Sequence, residues 1–179
     1  MPDIRILLVI AVAVIGFPLF EVLFFGHFYR REARIKTLSS KSVEGVVVGY
    51  KRAQIVAAPI VEYIVDGQTY RNSLKYYRVV RVTLPWKTNQ VASDIDLMAQ
   101  RIIIYTNSTV SKGNFFQDAF PLGSTMTVWY NPACPKESYV ERYSGLDKSY
   151  KREMWIGIWM LILLPILAVV AIVIGMKYK

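Results

Sequence analysis

The feature that most constrains this chain is an uninterrupted apolar run at residues 154–176, which contains no charged residue. As a helix it is about 34 Å long, enough to cross a hydrocarbon core of about 30 Å with some tilt. A buried core helix is the alternative, but a charge-free run of this length is unusual in a soluble domain. Aromatic and basic residues border the run, as at membrane interfaces: Trp155, Trp159, Tyr178, Lys151, Arg152, Lys177 and Lys179. The run therefore predicts a transmembrane helix.

A second apolar run covers residues 6–28 and is interrupted only by Glu21 and His27. A signal peptide is the alternative interpretation. Against it, the run is longer than a signal-peptide core, Arg5 is the only basic side chain before the run, and no small-residue cleavage site follows it. We therefore predict an uncleaved first span, in which Pro18 is a candidate kink.

The charge of the chain lies mostly beside these two runs. The net charge of +9 and the pI near 9.7 would suggest nucleic acid as the partner of a soluble protein. A cationic collar on a membrane protein explains the same residues and predicts a bilayer with anionic headgroups as partner. The single cysteine, Cys134, excludes an intrachain disulfide bond.

Between the spans the chain has room for one small domain. We predict a basic interfacial linker at residues 29–42, a β-rich domain at 43–143 and a basic linker at 144–153. In the first linker a short interfacial helix covers 30–38, and the serines that follow end it.

The central domain has the alternation and turn residues of short strands. Strands are predicted at 43–50, 59–65, 77–84, 101–106, 125–130 and 138–142. The dipeptide Asp66-Gly67 predicts a hairpin turn after the second of these strands. Ser93 is a candidate cap for a short helix at 93–100. The expected fold is therefore α+β, with two transmembrane helices flanking a small antiparallel β-barrel or sandwich.

Three segments of this domain carry a resemblance. They read EGVV at 44–47, PIVEYIVDGQTY at 59–70 and FPLGSTMTVWYNPACP at 120–135. Together they resemble a bacterial family of domains of unknown function, whose members hold a small β-domain between two hydrophobic helices. The chain departs from that pattern by a long insertion between Tyr70 and Phe120. The resemblance implies the architecture and assigns no activity, substrate or cofactor.

Catalytic and metal sites find little support in the residues. The only histidine, His27, lies at a predicted membrane border, which argues against Ser-His-Asp and Cys-His hydrolases. A zinc site needs three or four ligands, and Cys134 stands alone. Asp94 and Asp96 would fit the first turn of a helix better than a calcium loop. We therefore predict no catalytic residue, no metal site and no cofactor.

Three further groups of residues have a functional and a simpler structural interpretation. Glu44, Glu62 and Asp66 would form an enzymatic carboxylate site only by converging, whereas Glu62 on an alternating strand fits an outer polar face. The cationic and aromatic residues at 75–81 suggest single-stranded nucleic acid, but strand alternation divides them between two faces, so no nucleic acid partner is predicted. The tripeptide at 107–109 is a formal glycosylation sequon.

Glu21 is the one residue of a span that invites a functional hypothesis. A charged side chain at the centre of a membrane helix costs about 2.5 to 3.5 kcal/mol on insertion scales and usually marks a pathway or a partner. Glu21 is also near enough to the border to snorkel or to be protonated. Both interpretations stay open.

Basic residues are more numerous on the domain side of each span than at the outer ends. The positive-inside rule then predicts a multi-pass protein of the cell's inner membrane with its β-domain in the cytoplasm.

The expected function is non-enzymatic binding of a protein partner, another membrane protein or an assembly subunit, or of a second copy of the chain. Recognition would use an exposed strand edge or the insertion at 70–120. One alternative is a membrane-surface enzyme, or an enzyme subunit, that uses carboxylates. The other is an oligomeric transport component that uses Glu21.

Overall fold

A computed structural model describes Arg5, Val9 and residues 12–52, 57–88, 90, 94–107 and 115–177 of the chain. Its contacts divide into two units. One consists of the two terminal segments, Met1–Glu32 with Asp147–Lys179, and the other is the central segment Ala33–Leu146.

Two long apolar helices stand at the two ends of the sequence, as predicted. A π-helical turn at Val12–Gly16 leads into α1, Phe17–Leu38. The proline at position 18 has no N–H to donate to the preceding turn, which accounts for irregular helix at this point. The segments Val12–Leu38 and Leu146–Gly175 are both long and apolar enough to cross a membrane.

The first helix ends where the predicted interfacial helix at 30–38 ends, whereas the C-terminal helix begins earlier than the predicted span at 154–176. α1 runs on to Leu38, so most of the predicted linker at 29–42 is helical, and its last residues already belong to the first strand. At its end Ser39 donates its backbone N–H to the carbonyl of Ile35, and Ser40 follows outside the helix. The C-terminal helix, Leu146–Lys177, likewise includes most of the predicted linker at 144–153.

Five strands form the main sheet, all of them antiparallel to their neighbours. In chain order they are β1 Lys41–Arg52, β2 Ala57–Val65, β3 Gln68–Ser73, β6 Thr125–Asn131 and β7 Cys134–Val140, arranged as β3-β2-β1-β6-β7. The predicted hairpin joins β2 to β3, because Asp66 and Gly67 adopt the positive φ angles, 50° and 75°, of a two-residue turn.

The two outer strands of this sheet approach each other, so that the sheet is nearly closed. Asn72 of β3 donates from Nδ2 to the backbone oxygen of Ser138 of β7 at 2.7 Å. Inside, Tyr63 donates to the carbonyl of Pro135 and also bonds the Ser138 hydroxyl. The apolar core around these polar contacts is formed by Val47, Val61, Val65, Leu74, Met126, Val128 and Val140.

The insertion contributes a second, smaller sheet. Its strands are β4, Arg78–Thr83, and β5, Arg101–Thr106, and they pair in parallel, not in the antiparallel manner expected. A parallel pair needs a long crossover, which residues 84–100 provide. A short helix, α2, Phe115–Ala119, follows, and the C-terminal helix Leu146–Lys177 is α3. Ile102, Ile104 and Phe116 form a second core here with Leu97.

Two local predictions are corrected. Asp94 has 3₁₀-helical backbone, but residues 95–100 form turns and bends, so the predicted helix does not extend to residue 100; its candidate cap, Ser93, lies outside the described residues. Strand β7 begins at Cys134 and ends at Val140, where a strand at 138–142 was expected. The proline at 135 is compatible with a strand at the end of the sheet order, because such a strand leaves alternate N–H groups outside the ladder.

Candidate functional site

The predicted carboxylates do not form an enclosed site. Register places Glu44 of β1 and Glu62 of β2 on the same outer face, but Glu62 accepts a 2.6 Å bond from Arg71 and Glu44 is exposed. Asp66 lies in the exposed hairpin turn. The ordinary polar-face interpretation of Glu62 agrees with this arrangement.

A carboxylate that the sequence did not single out lies near Glu44. Glu141 has a φ of 56° and accepts the backbone N–H of Thr127 at 2.6 Å on its Oε1. Thr127 is the cross-strand neighbour of Glu44, and a small polar hollow of about 60 Å³ borders both acids. No group of three histidine, cysteine or acidic residues positioned to hold a metal ion occurs in the described part of the chain.

The remaining sequence candidates are dispersed. Asp96 accepts the backbone N–H of Met98 on its side chain, and Asp94, two residues earlier, has 3₁₀-helical backbone. Cys134 is exposed at the start of β7. His27 makes an edge contact with Phe28 on α1. The sequon begins at Asn107, and its other two residues lie outside the described residues.

The basic and aromatic cluster at 75–81 is organised differently from the predicted strand. Strand β4 starts only at Arg78, so Lys75, Tyr76 and Tyr77 precede the sheet. Tyr77 lies under the guanidinium of Arg101 at 4.8 Å, and Tyr76 lies under that of Arg142 at 4.9 Å. The rings are thus occupied by cations of the same chain, which leaves less aromatic surface for stacking bases.

Arg142 is the central polar residue of this region. Its guanidinium donates to the backbone oxygens of Lys75, Met98 and Ala99. Burial lowers the pKa of Arg142, and the neighbouring Tyr76 and Asp96 oppose that shift. Nothing in the sequence identifies this role, because the contacts join residues far apart in the chain.

The most distinctive surface of the central unit is one side of the β4–β5 sheet. Parallel pairing aligns Val79, Arg81 and Thr83 with the buried residues Ile102, Ile104 and Thr106. The opposite side, here called the outer face, consists of Arg78, Val80, Val82, Arg101, Ile103 and Tyr105. Ile103 at its centre is 51% exposed. Parallel sheets are normally covered on both sides, so an apolar residue open to solvent here is unusual.

Cations border the outer face. Arg78 and Arg101 lie at one end of the outer face. Near its other end, the Lys87 ammonium lies 4.1 Å from the centre of the Tyr105 ring. Trp86, next to Lys87 in sequence, is 78% exposed. The described residues of this face and its border include no acid, so the surface combines an apolar centre with a positive rim.

Strand edges, the other predicted recognition element, are largely occupied. Asn72 and Ser138 link the two outer strands of the five-stranded sheet. In the smaller sheet, Gln90 accepts the N–H of Tyr105 on its side chain and donates its own N–H to the Tyr105 carbonyl. An added peptide strand would displace these bonds, whereas the outer face is accessible without rearrangement.

In the helical unit, Glu21 lies beside α3. A Cβ atom built on Gly157 would be 3.2 Å from the Glu21 Cβ, so the helices approach closely at this level. The Oε2 atom of Glu21 is buried and has no hydrogen-bond partner within the described part of the chain.

No family model, curated protein sequence or solved structure matches this chain. The family resemblance therefore stays an expectation.

Proposed function

We propose that the chain is an integral membrane protein whose cytoplasmic β-domain binds a protein partner through the outer face of the β4–β5 sheet. The observation that carries the recognition step is the exposure of Ile103 at the centre of a parallel sheet. The function so defined is binding and assembly, without a catalytic step.

The membrane part of the proposal is supported by the two terminal helices. They have the length and composition of spans, and large apolar side chains such as Leu23 and Leu167 are exposed along them. Lipid would remove these groups from contact with water. The basic residues on the domain side favour the cytoplasmic orientation.

Protease protection in sealed inverted and right-side-out vesicles tests this orientation. Digestion of the β-domain should occur only in inverted vesicles, where the cytoplasmic side faces outwards. Digestion only in right-side-out vesicles would contradict the orientation, and extraction of the chain into buffer by carbonate would contradict the span assignment.

The chemistry of the outer face indicates the kind of partner. Its apolar centre fits an aliphatic or aromatic contact, and its cationic rim favours acidic residues around that contact. The proposed partner is therefore a protein with an apolar ridge flanked by aspartate or glutamate. A surface of this kind gives long-range attraction through the rim and most of its contact energy through the centre.

Site-specific photocrosslinking in cells tests the surface directly. A photoreactive phenylalanine analogue at position 103 should give a reproducible crosslinked protein that Arg101→Glu abolishes. Position 64 is a matched control, because Ile64 is also a strand isoleucine and is 61% exposed, but its face carries the Glu62–Arg71 ion pair. Equal crosslinking at both positions, or none at position 103, would contradict the assignment.

A second candidate function, oligomeric transport, is favoured by one observation, the unpartnered Oε2 of Glu21. Two spans cannot enclose a pathway, so transport would need several copies with Glu21 facing the shared path. The oligomeric state and the ion flux of the wild type and of Glu21→Leu test this candidate. A wild-type oligomer that dissociates or loses ion flux in Glu21→Leu would favour transport, and a monomeric wild type in detergent would eliminate it.

A further inference from the structure

An apolar cavity lies in the central unit on the side of β4 opposite to the outer face. Its volume is about 260 Å³, and its apolar lining consists of Ala58, Leu74, Tyr76, Val79 and Leu146. Val79 points to the buried side of β4, whereas the partner-binding surface proposed above contains Val80 and Val82. The cavity is therefore distinct from that surface.

The wall of the cavity is held in place by polar contacts that lie behind it. Tyr76 donates its hydroxyl to the carbonyl of Leu97 at 2.8 Å, and the Arg142 guanidinium covers its ring. Arg142 also binds the carbonyl of Lys75, and Leu74 donates its N–H to the carbonyl of Pro59. These bonds fix the segment 74–76, so the hollow is a built feature of the fold.

Among the lining residues that the structure describes, the charged groups are all cations. Lys51 of β1, which is exposed, and Lys75 both border the cavity, and its one other polar lining residue is Ser73. Behind the wall of the cavity, Asp96 interacts electrostatically with Tyr76 and Arg142. An apolar hollow with two lysines suits a ligand that joins a hydrocarbon part to an anion.

We propose that this cavity binds an anionic amphiphile, with part of its hydrocarbon chain against Leu74, Val79 and Leu146 and its phosphate or carboxylate near Lys51 and Lys75. The volume equals that of about nine water molecules at roughly 30 Å³ each, which is room for a chain segment and not for a whole diacyl lipid. Burial of the chain supplies affinity, and the lysines select the anion.

The amphiphile has two possible sources. It can be a bilayer lipid that inserts the end of one acyl chain, or a free single-chain amphiphile such as an alkyl phosphate or a fatty acid. A bilayer source is compatible with the sequence, because the lining residue Leu146 precedes Met154, the start of the apolar run, by only eight residues. A free amphiphile needs no such proximity.

Photolabelling of the full chain in nanodiscs of zwitterionic lipid tests the proposal. The probe is decyl phosphate with a diazirine near the end of its chain, and the control probe is the uncharged alcohol with the same chain. Peptide mapping should place the label near Leu74, Val79 or Leu146, with at least fivefold more label from the phosphate. Equal labelling by the phosphate and by the alcohol would overturn the proposal.

Substitutions distinguish binding in the cavity from a general effect of net charge on labelling. Lys51→Glu with Lys75→Glu should reduce phosphate labelling at least fivefold. The matched pair Lys41→Glu with Lys136→Glu changes the net charge equally at exposed lysines outside the lining, and should leave labelling unchanged. Equal loss in both pairs would overturn the proposal. Val79→Trp should fill the cavity and block labelling. If the Val79→Trp variant does not fold, the comparison of the two lysine pairs still decides between the outcomes.

A second arm identifies the source. Phosphatidylglycerol with a diazirine at the end of one chain replaces part of the nanodisc lipid. Label in the cavity peptides from this lipid identifies a bilayer source, and label from decyl phosphate alone identifies a free amphiphile. Absence of label from both probes refutes the site without bearing on crosslinking at Ile103.

Discussion

Gly157 of α3 lies directly against Val22 of α1. A Cβ atom at position 157 would be 2.9 Å from Cγ2 of Val22 and 3.3 Å from the carbonyl oxygen of Pro18. Such distances leave no room for a methyl group, so glycine permits the close approach of the two helices. In lipid, contacts of this kind are a main source of helix association, since small residues let backbones pack closely.

Gly157→Ala is therefore expected to weaken the helix pair. Overpacking costs about 1 to 3 kcal/mol, which corresponds to a fall in melting temperature of about 2 to 4 °C per kcal/mol. Thermal unfolding in detergent, followed by tryptophan fluorescence, measures the change. Gly175→Ala is the matched control because a Cβ there meets nothing within 4 Å. Val22→Ala should restore part of the loss in the Gly157→Ala background, and equal effects of the two glycine substitutions would refute the packing argument.

Glu21→Leu is expected to stabilise the same helix pair. The buried Oε2 has no hydrogen-bond partner in the described part of the chain, so removal of the carboxyl relieves a desolvation cost of about 1 kcal/mol or more. Glu21→Gln keeps a polar atom at this place and should gain less. Both melting temperatures are measured in the same detergent, and a lower value for Glu21→Leu would mean that the carboxyl makes a favourable contact.

Local signals in the sequence were sufficient for much of the fold. The hairpin at Asp66-Gly67 and the β-branched strand at 101–106 were predicted where they occur, because turn chemistry and residue type act over a few residues. The two apolar helices were equally clear from length and composition.

The parallel pairing of β4 and β5 depended on contacts across the insertion and was missed. One signal was available: three consecutive isoleucines in β5 suit a strand that has apolar surroundings on both sides, as in parallel sheets. Their arrangement now explains why Ile103 is exposed while Ile102 and Ile104 are buried.

The candidate sites were harder to predict than the fold. Arg142 binds carbonyl groups of residues 75, 98 and 99, and the cavity joins residues from β1, β2, β4 and the start of α3. Only the tertiary structure brings these segments together. A sequence pattern reports which side chains are apolar or charged, but not which of them share a hollow.

Gly45 offers a direct test of packing in the five-stranded sheet. A Cβ atom there would lie 2.5 Å from Cγ1 of Val61 and 2.8 Å from the carbonyl oxygen of Glu62. Because the second contact involves backbone, it is not relieved by a rotamer change. Gly45→Ala should lower the free energy of unfolding by about 3 kcal/mol, at the upper end of overpacking effects.

Gly49 supplies the control on the same strand, since a Cβ atom there meets nothing within 4 Å. Gly49→Ala should change the free energy of unfolding by less than about 1 kcal/mol, and could raise it by restricting the unfolded chain. Denaturant unfolding of the full chain in detergent measures both variants. Similar losses in the two would show that β1 is not packed against β2 as described.

The buried Tyr63 and the partly buried Tyr76 predict a loss of stability at alkaline pH. Burial raises the pKa of Tyr63 and of Tyr76 above the usual value of about 10, and their hydroxyls donate to the carbonyls of Pro135 and Leu97. The unfolded chain then releases these protons at a lower pH than the folded chain. Ionisation of these groups does not affect stability below about pH 10, and it lowers stability as the pH rises towards their folded pKa values.

Tyr76→Phe tests this effect through denaturant midpoints measured between pH 8 and 11.5. Above pH 10 the midpoint should fall less steeply in the variant than in the wild type. At pH 8 the variant should be the less stable protein, because it lacks the hydrogen bond to Leu97. Parallel curves for the two proteins would show that Tyr76 ionises equally easily in both states.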